Sequence, residues 1–435
     1  MTQNNEMQNA ISDALRSLDG ILDKIPVEKV TADMRERIVT LRQLLVDQRE
    51  PRFAFVGRRG SGKSSLVNAL LGEQRAAVGH ETSATGRGQW YTYSTERGSV
   101  RILDTRGLQE GSKPDSPDEA STPRESILRE LKTTCPDAVL FLVKAKEVDS
   151  AIDTDLSEVE SILRAVQADH GAELPLLGVI TSCDELEPKN VRLHRPNEQD
   201  PRDLEEKLER VRVVERHLEE KIKQRPMLKD RLLCTLGISA YQSWRADGSR
   251  RDDERWRIEA LIGKLVDELP KEARVELVRV SRIKNLQKTL AKTITRLVAG
   301  LCATIAFTPL PVADIVPITS MQVGLVASIS YVAGRTVTLK SAGEFLTAIG
   351  ANVGIGFAVR ELARAAAKLL PVAGEFVSSA IAYGTTMAIG AGASAYFIDE
   401  LPNAEVQKVF AKTREDEKKR YEVDGNESLD AANRG

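Results

Sequence analysis

Residues 52–72 read RFAFVGRRGSGKSSLVNALLG, and their order decides the fold. Arg52 to Val56 form a short apolar run of strand composition, and SSLVNALLG continues as a helix. Between them GRRGSGKS, Gly57 to Ser64, matches the pattern G-x-x-x-x-G-K-[ST]. Gly57, Gly60 and Gly62 let the backbone curl so that its N–H groups point inward, and the following helix N-terminus adds a favourable dipole for phosphate. Arg58, Arg59, Ser61 and Ser65 complete the lining of this loop. Lys63 is expected to contact the β and γ phosphates of a bound nucleoside triphosphate, and Ser64 to ligate Mg²⁺.

Downstream, short apolar runs alternate with helical stretches: QWYTY, SVRILDT, AVLFLVKA, LPLLGVIT and LLCTLGIS. That alternation predicts an α/β domain with a mostly parallel sheet and helices on both faces. Asp104 ends SVRILD and with Gly107 forms DTRG. A carboxylate there can hold the Mg²⁺ shell, while the Gly107 N–H can sense the γ-phosphate. At the end of LPLLGVI stands TSCD, Thr181 to Asp184. The Asp184 carboxylate can accept from the ring N–H and the exocyclic amine of guanine; adenine presents the opposite pattern, so GTP is favoured over ATP. Ser239 and Ala240 follow the strand LLCTLGI, where a backbone N–H can reach the guanine oxygen.

Together these residues resemble the translation-factor-related P-loop GTPases, especially the Era-like and interferon-inducible (IRG-like) members. GRRGSGKS looks like the first motif of that class, DTRG the third, TSCD the fourth and ISA the fifth. The resemblance implies GTP hydrolysis to GDP and a first-switch threonine that closes over Mg²⁺; AVGHETSAT offers Thr82 and Thr85, and a V-G-x-x-x-x-[VA]-T-like run favours Thr85. Two residues depart from the pattern. Ser182 replaces the lysine of [NT]KxD that packs along the nucleotide, which leaves ATP binding open. Leu108 stands where Ras-like proteins place a water-orienting glutamine. An apolar side chain cannot activate water, so hydrolysis needs another group. In relatives this accompanies assistance by G-domain dimerisation or by a partner protein. Arg59, inside the loop, is a candidate for stabilising transition-state charge in cis.

The chain has 435 residues, 41% of them hydrophobic, enough for more than one core. Ile11, Leu15, Leu18, Leu22 and Ile25, then Met34, Ile38, Leu41 and Leu45, mark two amphipathic N-terminal helices in residues 1–49. The G domain is assigned to 50–273. From 274 to 402 the composition turns rich in Ala, Gly, Ser and Thr, which predicts an all-α domain joined by the N-terminal helices. LPVAD (Leu310 to Asp314) recurs there as LPVAG (Leu370 to Gly374), a short sign of two related hairpins. This region resembles the YcjF-type helical domain of unknown function found C-terminal to bacterial GTPases. Residues 403–435 read as a charged, partly disordered tail.

A net charge of −2 gives no overall attraction to nucleic acid, and four scattered cysteines without a leader-like N-terminus favour the cytoplasm. Cys and His are not clustered at zinc-ligand spacing. Lys284, Lys288, Lys292 and Arg296 recur every four residues beside LVAGLCATIAF, a pattern that can attract an anionic membrane surface. Ile315 to Gly334 and Phe376 to Ile398 are uncharged and long enough to cross a bilayer. Their small residues and Pro317 favour a buried bundle instead. The expectation is a nucleotide switch with a helical domain, with peripheral attachment at the inner face of the cell membrane as a second possibility. The alternatives are a dynamin- or IRG-like membrane-remodelling GTPase and a ribosome-associated one.

Overall fold

The computed structural model describes residues 9, 12–13, 15–16, 28–75, 89–104, 123–149, 152–307, 315–335, 345 and 375–432. The chain divides into two compact units, Glu50–Ser281 and a second made of Met1–Arg49 with Arg282–Gly435. In the second unit, α1 (Glu28–Leu45) buries Met34, Ile38, Leu41 and Leu45, which follow the apolar spacing of the sequence.

The Glu50–Ser281 unit is an α/β sheet domain. Its elements are β1 (Arg52–Val56), α2 (Lys63–Leu71), β2 (Gln89–Thr95), β3 (Gly98–Asp104), α3 (Pro123–Thr133), β4 (Ala138–Lys144), α4 (Ile152–His170) and β5 (Leu176–Thr181). They continue with α5 (Pro201–Lys223), α6 (Pro226–Arg231), β6 (Leu232–Gly237), a hairpin of β7 (Gln242–Trp244) and β8 (Arg250–Asp253), α7 (Ile258–Glu268) and α8 (Lys271–Ser281). The main sheet has the order β2-β3-β1-β4-β5-β6, all parallel except β2, which runs antiparallel to β3.

Because the inner strands are covered on both faces, they are apolar throughout rather than alternating. Ala54, Val56, Val139, Phe141, Val143, Leu176 and Ile180 share one core with Ile127, Leu156, Val159, Val211 and Leu218 of α3, α4 and α5. The alternate residues Phe53, Phe55, Leu140, Leu142 and Leu177 are equally buried and face the other side. There α2 packs against α7 and α8, and α8 packs against β3.

The composition shift at 274 is not where this unit ends. Val275, Leu277, Val278 and Val280 of α8 are buried, and Glu276 accepts the Ser99 N–H at 3.1 Å, so packing carries the unit on to Ser281. The β7–β8 hairpin was not read from the sequence. It is fastened to the C-terminal end of α2: Arg250 donates to the Gly72 carbonyl at 2.7 Å and Arg255 to the Ala69 carbonyl at 3.1 Å.

In the second unit, α9 (Lys284–Phe307) packs against α1, α10 (Ile315–Val332) and α11 (Glu375–Phe397), and α11 against α12 (Asn403–Ala432). Small residues allow close approach: a Cβ on Gly390 would overlap the Thr295 side chain. The interior is partly polar, with Gln322 Nε2 donating to Thr386 Oγ1 at 2.9 Å and Gln287 Nε2 to the Val332 carbonyl at 3.0 Å. Among the described residues one helix, Lys284–Ala306, is long and apolar enough to cross a membrane, and just over half of it is buried inside the fold.

Where the sequence suggested a charged, partly disordered tail over 403–435, α12 continues to Ala432. Helix-forming side chains and i,i+4 pairs such as Lys419–Glu415, at 2.7 Å, support its course. The two LPVA segments lie outside the described residues.

Candidate nucleotide site

The loop after β1 leaves the sheet between the ends of two parallel neighbours. Phe55 is in register with Asp104 on β3, and Val56 with Phe141 on β4. Strand order reverses about β1, and ligands of open α/β sheets bind at the carboxyl ends of strands at such a switch point. Gly57, Gly60 and Gly62 all hold positive φ in the turn, and two of them are also crowded. A Cβ on Gly57 would overlap the Leu142 carbonyl oxygen, and Gly62 holds φ +87° with Thr181 against it.

Gly62 is also the N-cap of α2, which has neither a side-chain cap nor an acidic residue in its first turn. The N–H groups opening α2 are therefore a site for an anion, with no carboxylate to repel it. Lys63 is almost fully buried, and its ammonium donates to the carbonyls of Gly57 and Arg58, the latter at 3.0 Å. Arg58 turns away to the buried Asp155 of α4, Nε to Oδ2 at 2.9 Å, and so anchors the loop's outer side. Arg59 and Gly60 are exposed at the tip.

Oxygen donors suited to Mg²⁺ are at hand. Ser64 is the second residue of α2, and Asp104 ends the strand next to β1. A hydroxyl and a carboxylate form a hard donor set that fits this ion. Within the loop the Ser61 hydroxyl is buried with no protein partner, a polar group in a cradle otherwise built of glycine and backbone. Thr82, Thr85, Gly107 and Leu108 lie outside the described residues.

The far side of the site is formed by the ends of β5 and β6. Thr181 is buried, and its hydroxyl donates to the Ser61 carbonyl at 2.9 Å, which ties β5 to the phosphate loop. Ser182 adopts the left-handed conformation, φ 56° and ψ 35°, and turns the chain into a 3₁₀ turn, Cys183–Glu185, that contains Asp184. The Cys183 N–H donates to the Ile238 carbonyl at 3.1 Å, joining this turn to the segment that carries Ser239 and Ala240. Burial, with Glu215 and Asp184 nearby, pushes the Cys183 thiol up to about 12, so it is a core group and no nucleophile.

Two charged residues of α5 support these turns, and neither was singled out from the sequence. Lys207, completely buried, donates to the carbonyls of Asp184 at 2.7 Å, Val191 at 2.8 Å and Pro188 at 3.2 Å. Glu215 accepts from the Gly237 N–H and from Arg257 Nη1, each at 2.7 Å. Arg257 lies over the Trp256 ring at 4.5 Å, and the Trp256 backbone pairs with Ser239. The available signal was position: Lys207 and Glu215 fall on the α5 face marked by Leu204, Leu208, Val211, Leu218 and Ile222. Charge on an apolar stripe implies a specific partner.

Residues 52–177 match the family model described as "50S ribosome-binding GTPase". The tRNA modification GTPase MnmE of Chlorobium chlorochromatii is 33% identical over 142 residues, covering 32% of this chain and 27% of that protein. GTPase Der of Streptococcus uberis is 29% identical over 133 residues, covering 30% and 26%. The chain thus spans about a quarter of the length of the curated relatives it matches. Among solved structures, Toc33 from Arabidopsis thaliana in complex with GDP and Mg²⁺ has a TM-score of 0.32 at 18% identity, covering 59% of this chain and 94% of that one. Era in complex with MgGDPNP and part of 16S ribosomal RNA has a TM-score of 0.31 at 18% identity, covering 59% and 68%. The matched stretch is a GTPase domain.

Proposed function

We propose that this chain binds GTP with Mg²⁺ and hydrolyses it to GDP, acting as a switch whose output runs through the helical unit. The observation that carries this reading is the loop at the β1 switch point, whose glycine-dependent turn ends at an uncapped α2 N-terminus with Lys63 folded over it. In this reading the loop N–H groups from Gly57 to Ser65 and the Lys63 ammonium hold the phosphates. Ser64, Asp104 and Thr85 would hold Mg²⁺, which neutralises charge on the phosphate oxygens. The Gly107 N–H senses the γ-phosphate, Asp184 selects guanine, and the backbone at Ser239 and Ala240 meets the guanine oxygen. Adenine presents the opposite pattern to Asp184, which supports GTP over ATP.

Since Leu108 cannot orient water, hydrolysis is slow in the monomer and is accelerated by pairing of G domains or by a protein partner. The test combines GTP and ATP affinities with the hydrolysis rate per molecule as protein concentration rises. Tighter GTP binding and a rate that climbs with concentration are expected. Equal affinities remove the base assignment, and a flat rate removes self-activation.

A second reading places the protein in the cytoplasm with peripheral contact to the inner membrane surface. It is favoured by the exposed face of Lys284, Lys288, Lys292 and Arg296 on α9, although Lys288 is paired with Asp399 at 2.6 Å. Flotation with anionic vesicles, with and without a GTP analogue, tests it; no co-flotation in either condition rejects it. The family description names the ribosome, so salt-sensitive cosedimentation with ribosomes is the matching test for a ribosome-associated GTPase.

A further inference from the structure

We propose that Lys207 is a positioning residue for base recognition: from α5 it fixes the turn after β5 in the shape that presents Asp184 to guanine. The proposal rests on the reading of Asp184 as the guanine-selecting carboxylate.

The segment from Ser182 to Asp200 is a long connection with little structure of its own, two 3₁₀ turns at Cys183–Glu185 and Pro196–Glu198. Connections of this length inside a compact domain are uncommon and need an anchor. An ammonium has three N–H donors and no acceptor. Lys207 directs its donors to three carbonyls of this one segment, those of Asp184, Pro188 and Val191. One of them belongs to the base-recognition residue itself.

The other end of the tie is rigid. Helix α5 starts with Pro201 and is capped by Asp200, whose side chain accepts the Arg202 N–H. Val211, Leu218 and Ile222 bury it in the sheet core. Lys207 thus transmits the position of a packed helix to a turn whose other backbone tie is the Cys183 N–H to the Ile238 carbonyl.

A purely structural purpose is poorly served by such a residue. A buried charge is costly, and an apolar side chain of similar volume commonly stabilises a fold as well or better. Burial holds the Lys207 ammonium below the usual lysine range, with the nearby Asp184 and Glu187 carboxylates opposing that shift. What the lysine supplies, and an apolar residue cannot, is a defined path for the backbone at Asp184. The fourth motif lacks its usual lysine here, since Ser182 occupies that position. The cation that meets the backbone of this loop is Lys207, 23 residues beyond Asp184.

The experiment uses the full chain and two nucleotides that differ only at the contact in question. GTP carries the exocyclic amine that Asp184 accepts from; inosine triphosphate has the same phosphates and ring N–H but lacks that amine. Affinities for both are measured for the wild-type protein, Lys207→Met and Asp184→Asn. The wild type is expected to prefer GTP by on the order of tenfold, the penalty of an unpaired buried acceptor. Lys207→Met should reduce this preference to about twofold or less, while inosine triphosphate affinity changes by less than about threefold, because the phosphate loop retains its own bonds.

A wild-type preference in Lys207→Met overturns the proposal, as does an equal loss for both nucleotides, which marks a merely structural role. If the wild type shows no preference, or Asp184→Asn keeps it, the base assignment falls and the proposal falls with it. If only Asp184→Asn loses the preference, the proposal alone fails. Should Lys207→Met lack a cooperative thermal transition, Lys207→Leu, likewise apolar and without a donor, takes its place under the same criteria.

Discussion

The glycine loop after β1 and the turns proposed to recognise the base lie at the same edge of one sheet, yet they are held by different means. From Gly57 to Ser64 the shape is local: glycines permit the turn, the helix behind it supplies uncapped N–H groups, and Lys63 bonds to carbonyls five and six residues away. The turn at Asp184 and the segment at Ser239 are held from outside, by Lys207 and Glu215 of α5. A phosphate group needs concentrated positive potential, which any correctly curled backbone provides. A base needs an acceptor placed to within a fraction of an ångström, and that placement comes from packing.

Substitutions at the two ends should therefore fail differently. The largest effect is expected from Lys63→Ala, which removes the buried ammonium from the phosphate end. Loss of a charge-assisted partner there should weaken GTP and ATP alike by about 100- to 1,000-fold, read by equilibrium titration. Full GTP affinity in this variant would count against the whole nucleotide assignment. Asp184→Asn comes next. It replaces one of two accepting positions by a donor, so GTP affinity should fall by about 10- to 100-fold while ATP affinity stays within about threefold. A parallel fall for ATP would mean that Asp184 supports the loop and does not read the base.

How far each end was legible follows from the same contrast. GRRGSGKS declares its geometry in eight consecutive residues, and the runs on either side fix strand and helix, so the sheet and its loop could be read directly. Asp184 was legible as a carboxylate at a strand end. Its support was not, because Lys207 approaches it only through the way α5 lies on β5 and β6, a tertiary fact with no fixed spacing. The β7–β8 hairpin was missed for a related reason. RRDD, β8 itself, has no apolar alternation, and Arg250 within it and Arg255 just after it gain their role only by reaching the end of α2. In the helical unit, composition gave helices but not their neighbours. Thr295 against Gly390, and Gln322 bonded to Thr386, are pairings between segments far apart in the chain.

A smaller effect is expected from Glu215→Ala. Its carboxylate serves the Gly237 N–H and Arg257 together, and removal leaves a partly buried donor and a cation without their acceptor. Unfolding free energy should drop by about 1–3 kcal/mol in a denaturant titration. Since Gly237 leads into Ser239 and Ala240, whose backbone is assigned to the oxygen that guanine and hypoxanthine share, the affinities for GTP and inosine triphosphate should fall together while that for ATP changes little. Equal stability to the wild type would show that the β6 end holds its place without α5.

The smallest effect is expected at Arg59, although its place inside the phosphate loop makes it the obvious cation to suspect in catalysis. An arginine that stabilises transition-state charge contributes a factor of about 10³ to 10⁵ to the rate, so its removal could not be overlooked. Against that role stands the position of the residue at the exposed tip of the loop, while its neighbour Arg58 is held by Asp155. Lys63 already places a buried ammonium over the loop. Arg59→Ala should therefore hydrolyse GTP in a single turnover within about twofold of the wild-type rate, as expected of an exposed surface residue. A loss of two orders of magnitude or more would instead make the exposed tip the chemical centre of the phosphate end, and would identify in Arg59 the assistance that Leu108 cannot give.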